Sequence, residues 1–142
     1  MKPSLLISIA VAVVISAVAA STSAADRTVL SGFRSPSGNI KCFVVHKLYC
    51  SIGRSDYGAR LQAGCDLDWH GFELGAARKA EVYCTSNAPY DMGKQQPSKR
   101  ILPYGTSFHH RSFTCNSRIT GVTCHNRTGH GLFISRQAYR IW

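Results

Sequence analysis

Six cysteines, Cys42, Cys50, Cys65, Cys84, Cys115 and Cys124, set the tightest limit on how this chain can fold. The closest two are eight residues apart, so none forms the CxxC-type pair usual in zinc sites. An even number in an exported chain reads instead as three disulfides. Cys42 and Cys50 enclose FVVHKLY, and Cys115 and Cys124 enclose NSRITGVT. Each stretch is long enough for a β-hairpin whose strands carry the two cysteines opposite one another. Facing Cα atoms in such a pair lie about 4.5–5.5 Å apart, within disulfide reach. That leaves Cys65 for Cys84. Six cysteines permit many other connectivities, and hairpin geometry favours this sequential one.

The start of the chain supports export. Lys2 precedes the apolar run Leu5–Ala20, and the small polar residues STSAA follow it, which is the order of a secretory signal peptide. The run has 16 residues, whereas a spanning helix needs about 20. Cleavage after Ala19 or Ala25 leaves small residues at the recognised positions. We therefore expect a signal peptide over residues 1–25 and one domain over 26–142, secreted or periplasmic, with no stable membrane span.

Helical periodicity is weak in the remainder. The best helical candidate is Gly75–Glu81 (GAARKAE), which reads equally well as the approach to a strand. Short β-like runs are commoner: NIKCFVV, KLYCSI, EVYCTS, SFTCNS, GVTCHN and GLFIS, separated by turn signals such as SPSGN and LPYG. This pattern predicts an all-β fold, a small single-domain, disulfide-linked sandwich or barrel of short antiparallel strands. The two cysteine hairpins echo one another, each cysteine following an apolar residue two positions earlier. Duplication would explain the echo. The need of any disulfide hairpin to bury its sulfur-bearing face also explains it, and that simpler account is preferred here.

Charge is unevenly spread along the chain. Residues 26–91 hold eight Lys/Arg and seven Asp/Glu, whereas residues 92–142 hold eight Lys/Arg and no acid, together with four of the six histidines. A partner drawn to that second part should be anionic: nucleic acid, an acidic glycolipid or a polysaccharide. Arg111, Arg127, Arg136 and His130 are the candidate anion-binding residues.

The motifs FRSPSGNIKC (33–42), LPYGT (102–106) and GVTCHNRTGHGLFISR (121–136) resemble those of a family of small exported bacterial proteins of unassigned function. The resemblance implies secretion, six paired cysteines and one β-rich domain, and it implies no activity. One departure is Leu132, where an aromatic is expected; Phe133 follows and is read as keeping an aromatic there.

The last motif invites chemical readings. A metal site would use His125 and His130 with His109 or His110, but no carboxylate follows Asp91, and neither metal nor cofactor is expected. Ser135 lacks the G-x-S-x-G elbow of a nucleophilic serine. A small metal-independent secreted nuclease could use His109, His110, His125 or His130 beside arginines as acid and base. The plainer reading is a turn at Gly129–Gly131, with Asn126 bonding its own backbone rather than serving as a glycosylation acceptor. A binding module for an anionic partner is the favoured function. The nuclease and an inhibitor or interaction module for another exported protein are the alternatives. Oligomeric state is left open.

Overall fold

The computed structural model describes residues 31–86 and 100–142. The expected signal peptide lies outside the described residues. Among the described residues, ten strands form two five-stranded sheets. In chain order the first holds β1 (Ser31–Arg34), β2 (Ile40–Val44), β3 (Leu48–Ile52), β4 (Trp69–Leu74) and β5 (Ala80–Cys84). The second holds β6 (Ser107–His110), β7 (Phe113–Arg118), β8 (Gly121–Asn126), β9 (Gly131–Ile134) and β10 (Tyr139–Ile141). Each sheet is a pure antiparallel meander, every strand pairing with its neighbours in sequence. Their inner faces share one hydrophobic core, so the fold is a sandwich rather than a barrel.

The cysteine hairpins form as their spacing predicts. Cys42 faces Cys50 across β2 and β3, and Cys115 faces Cys124 across β7 and β8, with Cα separations of 4.1 and 4.0 Å. Cys65 is bonded to Cys84 at 5.8 Å. The echo between the halves reaches well beyond these hairpins. One buried row crosses the first sheet as Phe33, Cys42, Cys50 and Phe72. Its counterpart in the second sheet is Phe108, Cys115, Cys124 and Leu132. The rows face each other: the Phe33 and Phe108 rings are 5.1 Å apart, and the sulfurs of Cys42, Cys50 and Cys124 lie within 4.8 Å of one another. These sulfurs are the one group of candidate metal-ligand atoms found among the described residues, and all are held in disulfides. Burying sulfur requires neither matching flanking strands nor matching order. The halves are therefore a structural repeat, and the simpler account is insufficient.

The structure decides the open reading of Gly75–Glu81 in favour of a strand approach and corrects the expectation at Leu132. Residues 75–79 are a turn leading into β5, while the helix α1 lies at Gly58–Ala63. It spans six residues, has no side-chain cap and buries only Leu61, too little to imprint a helical period on the sequence. Its position is set by neighbours: Tyr57 before it is buried in the core, and the disulfide of Cys65 follows it. At the second site, Leu132 faces the core and Phe133 the outside, because successive strand residues alternate. Phe133 therefore does not replace an inward aromatic.

Tyr57 joins the two sheets. Its ring meets Trp69 and Phe72 of the first sheet and Tyr139 of the second, and its hydroxyl donates to the Ser135 carbonyl at 3.0 Å. Burial, and to a lesser degree Tyr139, pushes its pKa from 10.0 up to about 12. A neutral phenol is therefore favoured in the folded state. Its contribution to stability is complete below pH 10 and is lost as pH rises from 10 towards 12, where the unfolded chain ionises first. Denaturant midpoints measured across that window should fall more steeply for the parent protein than for Tyr57→Phe. Parallel curves would refute the assignment.

Candidate functional site

The strands run between two ends, and each end collects turns from both halves. One gathers turns 35–39, 53–57, 119–120 and 135–138. Gly53 N–H donates to Asn39 O and Asp56 N–H to Arg136 O there, both at 2.9 Å. The opposite end gathers turns 45–47, 75–79, 111–112 and 127–130. There the Arg111 guanidinium donates to Val45 O at 3.1 Å, and Asn126 Nδ2 donates to Gly75 O and Arg78 O, each at 2.9 Å.

Much of the polar chemistry in the sequence motifs is spent on holding these turns. Asn126 is 2% exposed. Its Oδ1 accepts from Thr128 N–H, Thr128 Oγ1 and His130 N–H at 2.9–3.1 Å, so one amide braces its own turn and clasps the turn of the other sheet. A side chain so enclosed is no glycosylation acceptor. Asn39 works similarly: Oδ1 accepts from Arg54 N–H at 2.8 Å and Nδ2 donates to Arg54 O at 2.9 Å. The Ser35 hydroxyl accepts from Ile40 N–H at 3.1 Å. Ser135 Oγ donates to Ala138 O and accepts from Ala138 N–H, at 3.0 and 3.1 Å. As a nucleophile it would have to leave that turn, and His130 lies at the other end of β9, roughly 15 Å of strand away.

The four histidines do not gather in one place. His109 and His125 stand two strands apart on the outer face of the second sheet, with Thr114 between them in register. His109 Nδ1 is 3.1 Å from Thr114 Oγ1. His110 is on the other face of β6, its ring against Phe108 at 6.2 Å. His130 sits in the 127–130 turn.

Of the four expected anion-binding residues, Arg111, Arg127 and His130 occupy turns at the opposite end, and Arg136 stands apart from them. What surrounds Arg136 is a cleft of about 290 Å³ at the first end. Arg54 and Arg118 share its lining with Arg136, amid Ser35, Ser37, Asn39, Thr120 and Gln137. The SPSGN, LPYGT and GVTC…ISR motifs all contribute to it, through Ser35, Tyr104 and Arg136 among others. Gly121 opens it. Its φ is +144°, and an added Cβ would meet Ile134 O at 2.5 Å and the Phe133 ring at 2.8 Å, so no other residue fits there. A second cleft of about 380 Å³ shares Ser37, Asn39 and Arg54 and adds Lys41.

Electrostatically the cleft is poorly neutralised. Asp56 lies 3.7 Å from Arg136, with both side chains largely exposed, a geometry worth little. No ion pair is found for Arg54 or Arg118 among the described residues. Guanidinium groups beside hydroxyls and amides suit a phosphate, sulfate or carboxylate oxygen. Arg54 and Arg118 escaped the sequence reading because neither lies in a histidine-bearing motif. The available signal was their position at hairpin ends, which has meaning only once the topology is known.

No curated protein and no solved structure matches the chain. Residues 6–142 match the model of a family of unknown function (DUF6636), and the chain belongs to that family.

Proposed function

We propose that the protein is an exported binding module that holds an anionic partner in the cleft of Arg54, Arg118 and Arg136. The observation carrying this reading is that Arg54, Arg118 and Arg136 line one polar cleft, where the ion pair found among the described residues is the exposed one of Arg136 with Asp56. The wider charge balance agrees, since no acid occurs after Asp91. Three disulfides suit an oxidising compartment outside the cytoplasm. Among the described residues no helix is long and apolar enough to cross a membrane.

The test uses inositol hexakisphosphate as a soluble polyanion, titrated calorimetrically at several salt concentrations. Affinity should fall as salt rises, because surface charge pairs are screened over about 10 Å at 0.1 M. Arg54→Gln and Arg118→Gln should each weaken binding about tenfold through loss of a charge-assisted hydrogen bond. Arg111→Gln and Arg127→Gln, at the far end, should change it about twofold or less. Equal losses from all four would make the attraction a general polycation effect and remove the cleft from the argument.

A further inference from the structure

We infer that the cleft end is a docking surface for an anionic phospholipid bilayer, with Ile119 entering the interfacial layer and the arginines meeting lipid phosphates. This rests on the anion-binding reading and names its partner.

The inference begins at the β7–β8 turn. Arg118 pairs with Gly121, so Ile119 and Thr120 alone form the connection. Gly121 carries the positive φ of this turn, so Ile119 and Thr120 need no special backbone, but an aliphatic side chain standing in solvent gains nothing there. Yet Ile119 is 85% exposed, with no packing inside the fold to justify it. A large aliphatic side chain held almost wholly in solvent without a structural return points to a role outside the fold.

Ile119 is not a stray. Gly105 N–H donates to Ser117 O at 2.7 Å and Ser117 N–H to Thr106 O at 3.0 Å, which holds the LPYGT stretch alongside the base of this hairpin. Tyr104, 43% exposed, belongs to that stretch. Ile101, 47% exposed, bridges to Arg34 just before the 35–39 turn of the same end. Ile119 and Tyr104 thus line the cleft of Arg54, Arg118 and Arg136, and exposed Ile101 lies opposite Arg34, next in sequence to Ser35 of that lining. Leu67, also exposed, is set between Asp66 and Asp68 and is left out of the surface.

Apolar tips flanked by guanidinium groups match the layering of a bilayer surface, where phosphates lie just outside the apolar region and tyrosine is at home between them. Basic residues close to anionic lipid add attraction that a neutral bilayer cannot supply. A nucleic acid would use the arginines but offers little to aliphatic tips, since its bases favour stacking on aromatic rings. A second copy docked end to end would bring like-charged arginines face to face.

The experiment compares the exported chain, as recovered from its host, with Ile119→Ser and Arg118→Gln prepared in the same way. Each is sedimented with vesicles of phosphatidylcholine alone or of an equal mixture with phosphatidylglycerol. Each is also titrated with inositol hexakisphosphate in solution. Ile119 is so exposed that its replacement leaves the fold in place. The parent should prefer the anionic vesicles by about tenfold or more. Ile119→Ser should lose about tenfold in vesicle affinity while keeping its affinity for the soluble polyanion. Arg118→Gln should lose both. An Ile119→Trp variant should show a blue shift of emission on anionic vesicles beyond that of the parent.

Equal binding to both vesicle types, or unchanged vesicle binding by Ile119→Ser, overturns the docking surface. Binding of the soluble polyanion without vesicle binding also overturns it and leaves the anion-binding reading standing. Failure of both removes the two together. A lipid-free parent that self-associates through Ile119, becoming monomeric in Ile119→Ser, would assign the surface to a second copy instead.

Discussion

Replacing Cys115 and Cys124 together by alanine should destabilise the protein by about 4 kcal/mol, more than the same change at Cys65 and Cys84. Chain entropy alone predicts the reverse order. The bond from Cys65 to Cys84 spans 19 residues and the one from Cys115 to Cys124 spans nine. Loop-closure entropy therefore gives about 3.2 and 2.6 kcal/mol respectively. Burial changes the ranking. Cys115 and Cys124 are fully enclosed, and the Cys124 sulfur packs against the Cys42–Cys50 bond at the centre of the core. Removing two sulfurs there leaves a cavity between the sheets, worth roughly a further 1–2 kcal/mol. Cys65 and Cys84 are only half-buried, so their loss opens no comparable void. Urea midpoints of the two double variants against the parent decide the point. A larger loss for the Cys65 and Cys84 pair would show that sulfur packing between the sheets contributes little.

Asn126→Asp should cost about 4 kcal/mol and Asn126→Ala about 3 kcal/mol, although neither residue would disturb the apolar core. The amide makes two donor bonds to Gly75 O and Arg78 O and accepts three from its own turn. Alanine leaves those groups without their partner, at about 1–3 kcal/mol for each that stays buried. Aspartate keeps the acceptor but points a carboxylate oxygen at two carbonyls, and that repulsion in an enclosed site accounts for the greater loss. Thr128→Ala removes one of the five bonds and should cost about 1 kcal/mol. With total stabilities of about 5–15 kcal/mol for a domain of this kind, either Asn126 change removes a substantial share. Denaturant midpoints for the three variants provide the measurement. A loss below about 1 kcal/mol for Asn126→Asp would mean that the turns are held by other contacts.

How legible each part was depended on how local its cause is. The strands bearing cysteines could be read because Ile40, Leu48, Phe113 and Val122 each sit two residues before a cysteine and share its buried face. The pairings Cys42–Cys50 and Cys115–Cys124 follow from the same local geometry, and Cys65–Cys84 is the pair left over. WHGFEL was harder: His70 and Gly71 interrupt the alternation, and a register shift between Trp69 and Gly71 carries the irregularity into β4. β6 hides behind two histidines, and β10 has only three residues. The helix was invisible because a single buried leucine cannot announce a period.

The cleft was the least legible part. Its arginines stand at positions 54, 118 and 136, and their meeting depends on two sheets stacked with opposite strand directions. Arg111 and Arg127 drew notice because histidines surround them in the sequence, yet the topology sends them to the other end. The asparagines and serines of the motifs did stand out, but as turn residues, and their hydrogen bonds agree with that reading.

The meander topology has a consequence for how the chain acquires its bonds. Apart from the bridge of Arg34 to Ile101, every strand pairs only with its sequence neighbours, so little loop entropy is spent before a contact forms, and contact order stays low for an all-β protein. Each hairpin cysteine finds its own partner before any other comes within range. Oxidation should therefore proceed hairpin by hairpin, with the native bonds of Cys42–Cys50 and Cys115–Cys124 the first to accumulate. A chain built this way needs an oxidant, but little help from an isomerase.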